Sequence, residues 1–305
     1  MTDELAPVVL FCYKRPDCLR QVLDALKQNH LAEKTRLIIF SDGPKSPADE
    51  VNVSVVREII RCVDGFLDVE LFESVSNRGL AESVISGVTE VVNRFGKVIV
   101  LEDDLVVSPW FLQYMNDALD LYENDDAVAG IQGYLPPGIE TGRSSFFIRE
   151  VGCWGWATWK RGWDLFESDG GKLLAEIKRR KLEYVFDVYG SFPYVKMLSD
   201  QSQGRVDSWA IRWYASVFLA GKLGLQPGKN LVSNIGYDQG THFSGGRGIV
   251  REEVCDHRLE LCREELIVSE DLLENGYAPY NRTFAIPLWK KAVHKLQKLA
   301  KSLKR

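Results

Sequence analysis

The sequence predicts an α/β fold, a mostly parallel sheet flanked by helices, and three observations carry that expectation. Strand and helix signals alternate from residue 8 to residue 101 of the 305-residue chain. The run Val98 to Leu101 is unbroken apolar sequence, as in a strand covered on both faces. Polar or charged residues follow each strand signal, and alternation of this kind builds right-handed βαβ units.

Taken in order, Val8 to Tyr13 reads as a strand and Pro16 to Gln28 as a helix, with Pro16 suited to a first turn because it has no N–H to leave unpaired. Arg36 to Ser41 reads as strand, Val51 to Val63 as helix and Val69 to Ser74 as strand. Gly79 to Phe95 puts Leu80, Val84, Val88 and Val91 or Val92 on one helix face, and Lys97 to Leu101 is the fourth strand. Glu123-Asn124-Asp125-Asp126 reads as a solvated turn after a helix.

With 45% hydrophobic and 27% charged residues the chain has enough apolar material for a substantial core and too much to be disordered. One large domain is expected over 1–284, followed by a basic tail over 285–305. No stretch approaches the ~20 apolar residues of a membrane span, and Met1 to Pro7 lacks the basic and apolar regions of a secretory signal, so a cytoplasmic location is expected. Six cysteines without a CxxC pair read as reduced thiols.

The net charge is −5, unevenly placed. The tail carries seven Lys or Arg and no acid, so 31 basic residues face 43 acidic ones before it, a net charge of −12. An acidic body disfavours nucleic acid as a partner. Leu288, Trp289, Ala292, Val293, Leu296, Leu299, Ala300 and Leu303 recur at helical spacing with lysines opposite, which predicts an amphipathic helix. Its basic face suits the anionic inner face of the cell membrane, as a peripheral contact, and suits the acidic body of the chain equally.

The informative residues follow the strands. Lys14-Arg15-Pro16 follows the first, Asp42-Gly43-Pro44 the second, Asn77-Arg78-Gly79 the third and Glu102-Asp103-Asp104 the fourth. Parallel strands bring all four loops to one edge, where open α/β sheets bind ligands. Clustered carboxylates favour Mg²⁺ or Mn²⁺. Arg15 and Arg78 suit phosphate, and Asp42 suits a base N–H or a ribose hydroxyl, so the edge suits a nucleotide diphosphate. Neither GxGxxG nor GxxxxGK[ST] occurs, which weakens dehydrogenase and P-loop readings.

These residues resemble the GT-A nucleotide-sugar glycosyltransferases, in particular those similar to N-acetylglucosaminyltransferase I. The likeness runs from about residue 7 to 245 and rests most on Val100 to Leu105, Ser108-Pro109 and the aromatic stretch Trp110 to Tyr114. It implies that Asp104 ligates the metal, that Glu102 and Asp103 hold the sugar or ribose, and that Arg15 and Asp42 grip diphosphate and uracil. It divides the domain into a nucleotide-binding half, 1–108, and an acceptor and catalytic half, 109–284.

In Gly152-Cys153-Trp154-Gly155-Trp156-Ala157-Thr158-Trp159 the helical spacing of Trp156, Trp159 and Trp163 predicts core, whereas Trp154 suits a wall of the sugar pocket. The stretch Val206-Asp207-Ser208-Trp209 resembles the family's catalytic segment, but Ser208 stands where the family carries its base. That leaves Asp207 as the expected base, Asp238 or Glu150 as alternatives, and Asp207 also as an expected N-cap. By the same resemblance His242 helps hold the metal and Arg247 the leaving phosphates, and an imidazole ligand tilts the preference to Mn²⁺. The implied activity is metal-dependent transfer of a hexosyl or N-acetylhexosaminyl group from a nucleotide diphosphate sugar, expected to be a UDP-sugar, to a glycan or glycolipid, with inversion. The alternatives are a glycan-binding or scaffold protein that has lost catalysis, for which Ser208 argues, and a sugar nucleotidyltransferase, against which the absence of glycine between Cys12 and Pro16 argues.

Overall fold

The computed structural model describes residues 4–236 and 252–284. Its strands are β1 (Val8–Cys12), β2 (Arg36–Ser41), β3 (Asp68–Glu73), β4 (Lys97–Glu102), β5 (Leu105–Val107), β6 (Val128–Gln132), β7 (Ser145–Ile148), β8 (Trp156–Trp159), β9 (Leu223–Pro227) and β10 (Val232–Asn234). Its helices are α1 (Pro16–Lys27), α2 (Glu50–Arg61), α3 (Leu80–Phe95), α4 (Phe111–Leu121), α5 (Lys160–Trp163), α6 (Gly170–Arg179), α7 (Glu183–Phe186), α8 (Tyr194–Ser202) and α9 (Trp209–Leu219). A last helical stretch runs from α10 (Glu270–Leu272) through a π turn to α11 (Ala278–Phe284).

Eight strands form one sheet in the order β3-β2-β1-β4-β8-β6-β9-β7, and β5 pairs with β10 apart from it. Strands β1 to β4 are mutually parallel, as the βαβ alternation requires. Strands β7 and β8 run against their neighbours, so the sheet is mixed beyond β4. The elements expected between residues 8 and 101 are all present, with ends displaced by a residue or two.

Each face of the sheet carries its own core. Helix α1 buries Leu19, Val22, Leu23 and Leu26 on one side, with α2 and α4 beside it. Helix α3 buries Ala81, Val84, Val88, Val91 and Val92 on the other, with α6, α8 and α9. Helix α3 ends at Gly96, whose φ of 77° is the left-handed cap that a glycine adopts without penalty and that lets the chain turn at once into β4.

The tryptophan segment departs from expectation. Residues 156–159 form a strand wedged between β4 and β6, not a helix, because β-branched and aromatic side chains fit a slot buried on both faces. Trp156 therefore enters the core with Trp163, Trp209 and Trp213, at centroid distances of 5.7, 5.4 and 5.8 Å, while Trp159 enters the opposite core. All three are buried, as expected, but on two faces instead of one. The Glu123 to Asp126 turn follows α4, and Asp125 pairs with Arg263 at 2.6 Å. The six cysteines are unpaired. Among the described residues no helix is long and apolar enough to cross a membrane, and the tail 285–305 lies outside them.

Candidate active site

The C-terminal ends of β1, β2, β3 and β4 share one edge, and their loops meet there. At the end of β4 the three carboxylates have different surroundings. Asp103 is buried, accepts the Tyr13 N–H at 3.1 Å through Oδ2 and pairs with Arg15 Nη2 through Oδ1. Asp104 pairs with Arg15 Nη1 at 2.7 Å through Oδ2 alone, leaving Oδ1 outside the pair. Glu102 meets no donor among the described residues; burial, then the charges of Asp104 and Asp103, push its carboxyl up to about 8. Burial also raises Asp103, with Arg15 pulling the other way.

One guanidinium thus faces three carboxylates. A divalent cation fits that excess of negative charge and that hard-oxygen donor set, and Asp104 Oδ1 with Glu102 are the groups free to hold it. Among the described residues no three His, Cys, Asp or Glu side chains converge as ligands, so water and phosphate oxygens would complete the shell. The backbone fixes the arrangement: Ile235 N–H donates to the Asp104 carbonyl at 2.8 Å, continuing the β5–β10 pairing. Gly236 then passes so close that a Cβ there would lie 2.2 Å from Asp104 Oδ2 and 2.8 Å from Arg15 Nη1.

Asp42 is buried and fully engaged. Its Oδ1 accepts the N–H groups of Gly43 and Arg78, both at 2.8 Å; its Oδ2 accepts Asn77 Nδ2 and the Gly79 N–H, both at 2.9 Å. A carboxylate has about four acceptor positions, and all are taken by the loop it shapes. The expected direct grip on uracil has no free lone pair here. The Arg78 side chain, expected at phosphate, turns outward to Glu82 at 3.0 Å, and its backbone N–H is what serves the site.

Ser208, not Asp207, caps α9, its hydroxyl accepting the Ile211 N–H at 3.4 Å. A hydroxyl one residue closer to the helix takes the cap, which corrects the expectation for Asp207. Asp207 projects outward with 70% of its side chain exposed, 3.7 Å from Arg212, and its Oδ2 lies 3.9 Å from where a Cβ on Gly79 would be. It therefore stands over the loop that Asp42 holds. Glu150, the alternative base, is instead tied to Tyr194, which donates to Oε1 at 2.7 Å; Asp238, His242 and Arg247 lie outside the described residues.

Trp154 lies in the bend that leads into β8. Val100 and Gln132 both pair with Trp156, the first residue of β8, and in the bend before it the Trp154 ring meets that of Tyr134. The bond from Gly133 N–H to the Gly155 carbonyl at 2.7 Å continues that register. Gly155 has a φ of 62°, and a Cβ there would meet Val232 Cγ2 at 2.7 Å. Cys153, next in line, has its thiol pushed up by burial and then by Glu102 and Asp104, an electrostatic mark of how near they are.

The model of the family described as Glycosyl transferase family 2 matches residues 8–177, more than half of the chain. The chain belongs to glycosyl transferase family 2. As a member of that family it is a glycosyltransferase, and its helix-flanked, mostly parallel sheet is the Rossmann-like GT-A fold. A search of curated proteins finds no match. Similar solved structures include the mannosyltransferase PcManGT from Pyrobaculum calidifontis in complex with GDP-Man and Mn²⁺, at 13% identity over 72% of this chain and 75% of that one, with a TM-score of 0.41. S. aureus TarS matches at 11% identity over 75% of this chain and 36% of its own, with a TM-score of 0.38. The galactosyltransferase LgtC, in complex with donor and acceptor sugar analogs, matches at 12% identity over 71% and 72%, with a TM-score of 0.38. These likenesses are distant.

Tyr134, Gly236 and Glu252 were not singled out in the sequence. Tyr134 follows a strand at the same edge and carries the signal that marked the other loops; Gly236 and Glu252 carry none, since only the pairing of β10 with β5 brings their segment in.

Proposed function

We propose that this family 2 glycosyltransferase moves a hexosyl or N-acetylhexosaminyl group from a UDP-sugar to a glycan or glycolipid, with a divalent cation, Mn²⁺ or Mg²⁺, and with inversion. The observation that carries the reading is the set Glu102, Asp103 and Asp104 opposed, among the described residues, by Arg15 alone at the end of β4. In it residues 1–108 bind the nucleotide and 109–284 supply the acceptor side. Asp104 and Glu102 would hold the cation, which when bound neutralises the diphosphate as it leaves.

Asp103, with one oxygen on Tyr13 N–H and the other on Arg15, orients that guanidinium. Arg15 has N–H groups beyond the two in these pairs, and they can reach phosphate oxygens. Asp42 acts by holding the loop of residues 77–79 against the donor. Asp207, exposed and only loosely paired, takes the proton of the acceptor hydroxyl, which needs a carboxylate with lone pairs to spare. Arg247 and His242 keep their proposed roles at phosphate and cation, and the tail its proposed place on an anionic membrane.

Release of UDP from UDP-sugars in the presence of Mn²⁺ tests the reading. Asp104→Ala should abolish metal-dependent turnover with the fold intact, and unchanged turnover refutes the assignment. Retention of anomeric configuration in the product would remove Asp207 from its role. The scaffold reading loses its best argument in the use of Ser208 as a helix cap beside an available acid.

A further inference from the structure

Beside the acidic residues the edge carries a second constellation. The Tyr134 hydroxyl lies 2.9 Å from Glu252 Oε1, to which it donates, and 2.8 Å from the Tyr280 hydroxyl. The Trp154 ring meets the Tyr134 ring edge-on, with centroids 4.6 Å apart. Glu252 Oε2 is buried and meets no hydrogen-bond partner among the described residues. A buried carboxylate oxygen left in that state is costly, and a bound hydroxyl relieves it.

Position gives the constellation its meaning. Trp154 meets Tyr134 in the bend before β8, and its neighbour Cys153 has its thiol raised by burial and then by the charges of Glu102 and Asp104, which sets the aromatic pair near the acidic residues. An aromatic wall with a few convergent polar atoms is the composition of a small-molecule site.

We infer that Trp154, Tyr134, Tyr280 and Glu252 form the acceptor subsite, taking a pyranose whose apolar face lies on the aromatic rings and whose hydroxyls are read by Glu252. The inference rests on the glycosyl-transfer reading of the adjoining edge and adds the residues that choose the acceptor. Glu252 and Tyr134 are specificity-determining residues here, without a part in the bond-breaking step.

The test uses the full chain with UDP and Mn²⁺ and, as probes, the methyl glycosides of glucose, galactose, mannose and N-acetylglucosamine. Binding is followed by saturation-transfer NMR, and UDP binding by calorimetry on the same samples. At least one glycoside should bind, and Glu252→Gln should weaken it by roughly 10- to 100-fold, the range for a hydrogen bond to a charged group, with UDP affinity unchanged. Tyr134→Phe should weaken the same glycoside, which guards against a folding defect in the first variant. Wild-type affinity for the glycoside in both variants overturns the inference, as does equal loss of UDP and glycoside, the mark of a merely structural tie. UDP binding with no glycoside bound overturns it while sparing the donor reading; failure of UDP to bind overturns both.

Discussion

Asp42→Asn distinguishes a residue that shapes the donor site from one that touches the nucleotide. Each carboxylate oxygen accepts two hydrogen bonds, and an amide offers only one oxygen, so whichever way it turns its NH₂ group meets two donors. Hydrogen bonds to a charged group are worth about 1.5–3 kcal/mol each, so the loss of two costs about 3–6 kcal/mol. The loop is near the surface and recovers some of this by opening to water, which makes the lower end of that range the expected value. For a chain of 305 residues about 3 kcal/mol lowers the thermal midpoint by roughly 5 °C. Scanning calorimetry measures the midpoint, and titration calorimetry with UDP and Mn²⁺ measures the site. Asn77→Ala is the companion variant: it removes the bonds from Asn77 Nδ2 to Asp42 and to the Gly43 carbonyl, both 2.9 Å, and leaves the carboxylate in place. If Asp42 acts through loop shape, both variants weaken UDP. A midpoint within about 1 °C of wild type for Asp42→Asn together with lost UDP binding would refute the reasoning, as would undiminished UDP binding by Asn77→Ala.

Gly236→Ala should weaken UDP and Mn²⁺ binding at least about tenfold, because its Cβ would press on Asp104 and Arg15; titration calorimetry reads the loss. Burial raises the Glu150 carboxyl and the Tyr194 hydrogen bond offsets only part, so its contribution to stability is present at low pH and is lost as pH rises through the raised folded value. Glu150→Gln should flatten that decline, seen in urea midpoints taken between about pH 4 and 8; an unaltered slope counts against it. Ser208→Ala should cost about 0.5–1 kcal/mol in urea melts through the lost cap, whereas Asp207→Asn should leave stability unchanged and slow glycosyl transfer.

Much of residues 8–104 was legible because the elements there are local. Periodicity fixes α1 and α3, the apolar run fixes β4, and the βαβ rule brings Arg15, Asp42, Arg78 and the acidic residues to one edge without reference to the rest. What was not legible depends on partners distant in sequence. Nothing in the residues around Asp42 says that its oxygens are spent on residues 77–79, or that Arg15 would bridge two aspartates. Strand β8 was hidden because Trp156, Trp159 and Trp163 satisfy a helical spacing, and only its slot between β4 and β6 decides otherwise. The family match supports glycosyl transfer without singling out the likeness to N-acetylglucosaminyltransferase I.

Strand β8 also serves as a ruler. Trp156 fills the core on one face and Trp159 the core on the other, so sliding the strand by a single residue would drive each indole toward the wrong side. Two bulky rings therefore lock one alignment, and with it Val100 of β4 and Gln132 of β6 are both held against Trp156. The ends of β4 and β6 are thereby fixed by backbone pairing, so the loops that follow them can vary in sequence without moving the points from which they spring.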